Sequence, residues 1–193
     1  MDIKINKNQL SDIFNIHYQV FAPIKNFVSK KEFVSIATKM ELRRGVFFPI
    51  PIYFSLNKIS KNVKKINLIY RKNKVCQFII NDIYTFTHSE KKELGRKVFG
   101  TEDVHHPGFY NFYFKSNFFI QGKIEKISDL PSSLKFSFPK EMKVIKKNKN
   151  IKHLVAFHTR NVPHKAHEWI HRYGIKKCQN LLIQPLVGQY RSG

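Results

Sequence analysis

Acidic residues are scarce in this chain. Its 193 residues hold 13 Asp and Glu against 35 Lys and Arg, a formal net charge of +22 with a pI near 10.1. That balance is the electrostatic footprint of a nucleic-acid binder, or of a protein that handles small anions. The lysines are scattered, however, with Lys58, Lys61, Lys64, Lys65, Lys72 and Lys74 in one region and Lys140 to Lys149 in another. Beside abundant Ile, Asn and Phe, this is what compositional bias in a coding sequence produces. Solvated faces account for the charge better than a dedicated nucleic-acid surface. Cysteine is also sparse: Cys76 and Cys178 fall in different predicted units, so each reads as a small buried or half-buried thiol without redox chemistry. Long apolar runs are missing. None approaches the ~20 residues of a membrane span, and the N-terminal MDIKINKNQL has no apolar signal core. The expectation is a soluble cytoplasmic chain with no membrane partner. Apolar material for a core is ample, at 42% hydrophobic residues with 18 Phe, which excludes a disordered tail. The length suits one large domain, or one domain and part of another.

The first half reads mostly as strand, with one early helix. Ser29 is an N-cap with Glu32 three residues on, Phe33, Ile36, Ala37 and Met40 follow at helical spacing, and Gly45 closes the helix. Val46 to Leu56 is aromatic and β-branched, and its two prolines predict an edge or bulged strand. Ile66 to Tyr70, Val75 to Ile80 and Asp82 to Phe86 read as strands, and Glu90 to Phe99 as a short helix. In the segment GTEDVHHPG, Asp103, His105 and His106 sit among turn residues, a structural arrangement rather than a catalytic cluster. The lysine-rich run Pro139 to Asn150 has charge but little apolar periodicity and marks the boundary between a domain at 1–148 and a second at 149–193.

Chemistry concentrates in the second domain. Leu154 to Phe157 is a short apolar run suited to a buried parallel strand, ended by Thr159 to Pro163. A helix begins near His164, with Ala166, Trp169, Ile170 and Tyr173 as one apolar stripe and Glu168 paired to Arg172, and it ends around Gly174 to Asn180. A second strand follows at Leu181 to Ile183. A polar loop and a helix N-terminus thus lie at the carboxyl end of a strand, where open α/β sheets bind nucleotides. The first-turn N–H groups and the positive end of the helix dipole favour phosphate. His164 and His167 share a face of that turn and could hold triphosphate oxygens, and Arg160 could grip a second anion through its fork. Two histidines three apart on a helix are also common as surface or packing residues. A His-x-x-His metal pair is a third reading, with no Cys or carboxylate placed to complete a tetrahedral set.

The run Phe157 to Glu168, FHTRNVPHKAHE, resembles the F-Q-T-R-N-P-x-H-R-A-H-E signature of the ATP sulfurylase (sulfate adenylyltransferase) family, and Gln184 to Gly188, QPLVG, is similar to its H-P-L-V-G. Phe21 to Phe27 with Phe33 resembles F-S-P-L-x-G-F-M-x-x-x-x-Y, although Asn26 takes the glycine and Val28 the methionine. Phe48 to Ile52 is similar to W-P-I-P-I, Val98 to Gly108 to V-[FY]-G-T-x-D-x-x-H-P-G, and Gly122 to Ile127 to G-G-K-[IV]-E-x-[IV]. These matches run in family order over essentially the whole chain. The resemblance implies an α+β protein: a β-rich PUA-like N-terminal domain, then the first βαβ unit of a truncated Rossmann-like nucleotidyltransferase domain.

The activity it implies is transfer of AMP from ATP to sulfate, giving adenylyl sulfate and pyrophosphate, with ATP as substrate alongside Mg2+ and no tightly bound cofactor. By the same resemblance Thr159, Arg160, Asn161, His164 and His167 are catalytic. Arg160, Asn161, His164 and His167 bind ATP, and His158 and Arg160 bind sulfate. Three departures stand out. His158 replaces the glutamine, turning an amide into a titratable ring; proline has moved one place, to Val162-Pro163; and Gln184 stands where the second motif has histidine. Ile151 to Gly193 is enough for one βαβ unit, so the chain reads as a fragment or half of a split protein, inactive alone. Its implied partners, besides ATP and sulfate, are a second copy or the missing C-terminal half. Two alternatives differ in class: a basic PUA-like RNA-binding module, and a non-catalytic relative.

Overall fold

The computed structural model describes residues 1–42, 45–128 and 139–185, which fall in two units, Met1–Phe136 and Ser137–Gly193. The first is a mixed α+β unit around a curled five-stranded sheet. Its strands are β1 (Asp2–Lys4), β2 (Phe54–Leu56), β3 (Lys65–Tyr70), β4 (Asn73–Tyr84) and β5 (Phe118–Glu125), in the order β1-β3-β4-β5-β2. β1 pairs parallel with β3, and the other pairs are antiparallel. β4 is one long strand where two were expected, with an irregularity between Ile80 and Asp82 that lets it continue. Gly122 of β5 is needed there: a side chain would run into the Ile79 carbonyl and the Phe78 ring.

Four helices accompany this sheet: α1 (Lys7–His17), α2 (Lys30–Lys39), α3 (His88–Phe99) and α4 (Pro107–Lys115). α2 starts as its sequence dictates, with the Ser29 N–H donating to Glu32 Oε2 (2.9 Å) and the Glu32 N–H to Ser29 Oγ (3.3 Å). It stops earlier than expected, at Met40, which takes the left-handed conformation (φ 55°); Gly45 serves a later turn. α1 was not foreseen, yet Asn6 and Gln9 form a capping box and Leu10, Ile13 and Phe14 make a buried face. α4 also replaces an expected turn. Proline is tolerated at its first position, and the His106 ring accepts the Phe109 N–H (3.2 Å), so this histidine has a capping role. Asp103 likewise accepts the His105 N–H (2.8 Å). Of the strand expected over Val46 to Leu56, only Phe54–Leu56 forms, at the sheet edge, because Pro49 and Pro51 remove ladder donors.

Aromatic rings fill this unit. Phe33 is 1% exposed and lies against Phe86 (5.1 Å between centroids), Phe112 (5.6 Å), Phe119 (5.7 Å) and Tyr53 (5.4 Å). Phe27, Phe54 and Phe78 form a second cluster. Lys91 is buried without a carboxylate; its ammonium donates to the Tyr113 carbonyl (3.1 Å) in the last turn of α4, and burial lowers its pKa.

The second unit contains α5 (Pro139–Asn148), β6 (Val155–Thr159), α6 (Lys165–Cys178) and β7 (Leu181–Pro185). α5 occupies the run expected to be an unstructured boundary. Its Lys, Glu, Met and Ile are all tolerated in helices and no glycine interrupts it. β6 and β7 pair in parallel, joined through α6, as the alternating pattern predicts. Among the described residues no helix is long and apolar enough to cross a membrane.

Candidate functional site

β6 alternates in exposure: Val155, Phe157 and Thr159 are covered, while Ala156 and His158 are exposed. The covered side faces α6. A Cβ on Gly174 would lie 2.9 Å from Val155 Cγ1, and Phe157 meets the rings of His167 (5.2 Å) and His171 (4.6 Å). The helix face on the sheet is therefore His167, His171, Gly174 and Cys178, not the apolar stripe expected there. Gly174 sets this rotation by letting the helix approach β6 without a side chain between. It does not end the helix, which runs to Cys178 and is closed by Gln179 in the left-handed conformation. Trp169, Ile170 and Tyr173 are exposed, at 70%, 44% and 56%.

The strand extends through His158 and Thr159, two residues further than its apolar run suggested. Thr159 is buried, and its hydroxyl both accepts the Asn161 N–H (3.0 Å) and donates to the Asn161 carbonyl (3.2 Å). This threonine folds the loop that carries Arg160 and Asn161 into solvent, a positioning task. The loop passes the exposed Val162 and Pro163 and delivers the chain to His164 as the N-cap of α6, in extended conformation. His164 and His167 come together: their ring centroids are 3.9 Å apart, and the His164 N–H points to His167 Nδ1 at 3.4 Å. His158 lies on the side of β6 away from α6, so the histidine pair and the predicted sulfate residue occupy opposite faces of the strand.

The His167 pKa is lowered by withdrawal from water first, then by repulsion from His164 and His171. With Nδ1 turned to the His164 N–H, the neutral ring keeps Nε2–H as its donor. Glu168 is taken up by Arg172, at 2.8 and 3.0 Å, as the i,i+4 spacing predicts. The first turn of α6 thus offers imidazole and backbone donors, with its only carboxylate engaged. It is suited to anionic oxygens. Among the described residues no group of three or more His, Cys, Asp or Glu could hold a metal ion.

A family model described as a PUA-like domain matches residues 1–129, and one described as ATP-sulfurylase matches residues 135–193. Residues 1–129 belong to the PUA-like family, and residues 135–193 are similar to the ATP-sulfurylase family. It is 32% identical over 194 residues to a sulfate adenylyltransferase of Pyrococcus abyssi, 29% to that of Thermococcus onnurineus and 27% to that of Entamoeba histolytica. In each case 99% of this chain is aligned, and it spans about half the length of these relatives (50%, 50% and 48%). A solved structure described as a hexameric APS kinase from Thiobacillus denitrificans superposes with a TM-score of 0.69 at 14% identity, over 98% of this chain and 34% of that one. That likeness concerns the fold.

His171 escaped the sequence reading. It sits one turn beyond His167 (6.3 Å between centroids), with Nε2 buried and unpartnered, and its i+4 spacing from His167 was the available signal. Leu186 to Gly188 of the second motif lie outside the described residues, as does the terminal QYRSG.

Proposed function

We propose that this chain carries the anion-holding loop of a sulfate adenylyltransferase, an ATP-dependent nucleotidyltransferase. In the reaction a sulfate oxygen attacks the α-phosphorus of ATP, the bond from that phosphorus to the bridging oxygen of the β-phosphate breaks, and pyrophosphate leaves with the electron pair. The products are adenylyl sulfate and pyrophosphate. No protein nucleophile is required, so the work is positioning and charge stabilisation. His164, His167 and the first-turn N–H groups of α6 hold phosphate oxygens. Arg160 supplies fixed positive charge to sulfate, to which His158 adds a donor from the other side of β6, and Asn161 contacts the nucleotide. β6, α6 and β7 form the first βαβ unit of a Rossmann-like domain at 149–193, after a PUA-like domain at 1–148. The partner is either a second copy or polypeptide equivalent to the second half of the relatives.

The observation that carries this reading is the close pairing of His164 and His167, 3.9 Å between ring centroids, at the start of α6, reached by a loop that Thr159 folds. The test is calorimetric binding of ATP to the chain, beside a His164→Ala/His167→Ala variant. Affinity should fall at least about tenfold, the loss of one charge-assisted hydrogen bond or more. In protein carrying the full family length, either single replacement should cost mainly kcat, by roughly 10²–10³. ATP binding that is indifferent to both histidines contradicts the proposal. Binding of RNA with sequence preference and a steep salt dependence would support the basic-module reading, which the +22 charge favours.

A further inference from the structure

The aromatic core of the first unit leaves space open where it reaches the surface. A cleft of about 200 Å³ is walled by Phe33, Tyr53, Phe99 and Phe112, and the exposed Ile50 and Asn111 complete its wall. Protein interiors leave few voids larger than a water molecule, so these rings, which otherwise meet at 5.4 to 6.2 Å between centroids, keep this space unfilled. A second cavity of about 370 Å³ adjoins the cleft and shares Ile50, Pro51, Tyr53 and Asn111 with it. Its chemistry is different. Ser55 Oγ donates to Ser116 Oγ (2.9 Å), Ser116 Oγ donates to the Asn111 carbonyl (3.2 Å), and Asn6, Asn8 and Gln9 line the same space. Burial pushes the Tyr53 phenol up to about 12, so an O–H stands at the junction of the two compartments. The charged residues of the polar cavity are one cation, Lys115, and one carboxylate, Asp12. Lys115 lies one turn beyond Asn111 on α4, and both are exposed.

We infer that the two compartments form a binding site for adenosine monophosphate, with the base in the aromatic cleft and the ribose phosphate in the polar cavity. The sizes decide between ligand classes. Clefts for drug-sized ligands run to about 300–1,000 Å³, so the aromatic cleft takes one ring system and the two compartments together take a molecule with a second, polar part. An aromatic amino acid would fill the cleft and leave most of the larger cavity empty, whereas a sugar phosphate occupies it. Bases stack on aromatic side chains through their π-faces whatever their identity. Identity comes from Asn111, because a side-chain amide matches the donor and acceptor on the edge of adenine. Lys115 neutralises one phosphate, and Asp12 beside it disfavours a longer, more highly charged chain. The site uses none of the residues of the loop that leads into α6.

Calorimetric titration of the full chain carrying His164→Ala/His167→Ala, which removes the proposed phosphate-holding pair, tests the site with AMP, adenosine, UMP and ATP. AMP should bind at least about tenfold more tightly than UMP or ATP. Added to that variant, Asn111→Ala should weaken AMP and adenosine alike by roughly tenfold, the scale of one base-edge contact. Lys115→Ala should weaken AMP by roughly tenfold, the loss of one hydrogen bond to a charged group, and leave adenosine unchanged. Both positions are exposed on α4, so the fold survives these replacements. Absence of AMP binding, a preference for ATP, or an AMP affinity that neither replacement moves overturns the inference. So does an oligoadenylate that binds more tightly than AMP, since the cavity would then belong to a strand and not to the free nucleotide. Each of these outcomes leaves the reading of His164 and His167 standing.

Discussion

The two units contrast in how they bury their residues. In the first, Phe33, Phe54, Phe78, Phe112 and Phe119 are each about 1% exposed or less, and α1, α2 and α3 begin with capping boxes at Asn6, Ser29 and Thr87. In the second, the only buried residue among those described is Thr159, and the large apolar residues of α6 face solvent. Its principal helix starts at His164, whose backbone N–H points to His167 Nδ1 at 3.4 Å. The five-stranded sheet of the first unit packs on a core rich in aromatic rings. A two-stranded parallel sheet covered by one helix does not bury both its faces, and parallel sheets are ordinarily covered on both. The first unit is organised for packing, and the second keeps exposed the residues proposed to meet ligands.

Stability measurements can break that contrast. Phe33→Ala should have the largest effect, about 3–5 kcal/mol in denaturant unfolding of the first unit, because its ring touches four others that cannot all collapse into the gap. Thr87→Ala should cost about 1 kcal/mol through loss of the α3 cap. Its box partner Glu90 has a pKa lowered by the Thr87 backbone N–H and then by Lys30. A lowered carboxylate contributes stability above its unfolded pKa and loses it as pH falls through the folded one. A pH series of melting temperatures should therefore show a small acid-side loss that Glu90→Gln removes, small because the carboxylate is exposed and screened by solvent. Smallest of all, Trp169→Ala should change stability by less than about 0.5 kcal/mol. A cost there comparable to that of Phe33→Ala would mean the α6 face is covered after all.

Legibility followed the same divide. Caps and glycines speak locally, so α2 and α3 were readable from Ser29 with Glu32 and from Gly100 after Phe99. α1 was missed although Asn6 and Gln9 carry the same signal, because its apolar face is short and sits in a polar stretch. α4 was hidden by Pro107 and Gly108, which signal a turn and here open a helix. In the second unit the βαβ order was legible from alternation, and the rotation of α6 was not. Apolar periodicity pointed to Trp169, Ile170 and Tyr173, while the packing is decided by Gly174 against Val155 and by the rings of His167 and His171 on Phe157. The register that sets His158 opposite Gln184 is likewise a property of two strands together, which neither segment shows alone.

The claim that the start of α6 holds phosphate is tested most directly by NMR of the His164 and His167 ring carbons as ATP is added across a range of pH. Phosphate oxygens beside the pair favour the charged imidazole, so both rings should shift together and the lowered His167 pKa should rise on binding. Saturation with ATP that leaves both rings and the His167 titration unmoved would contradict the account.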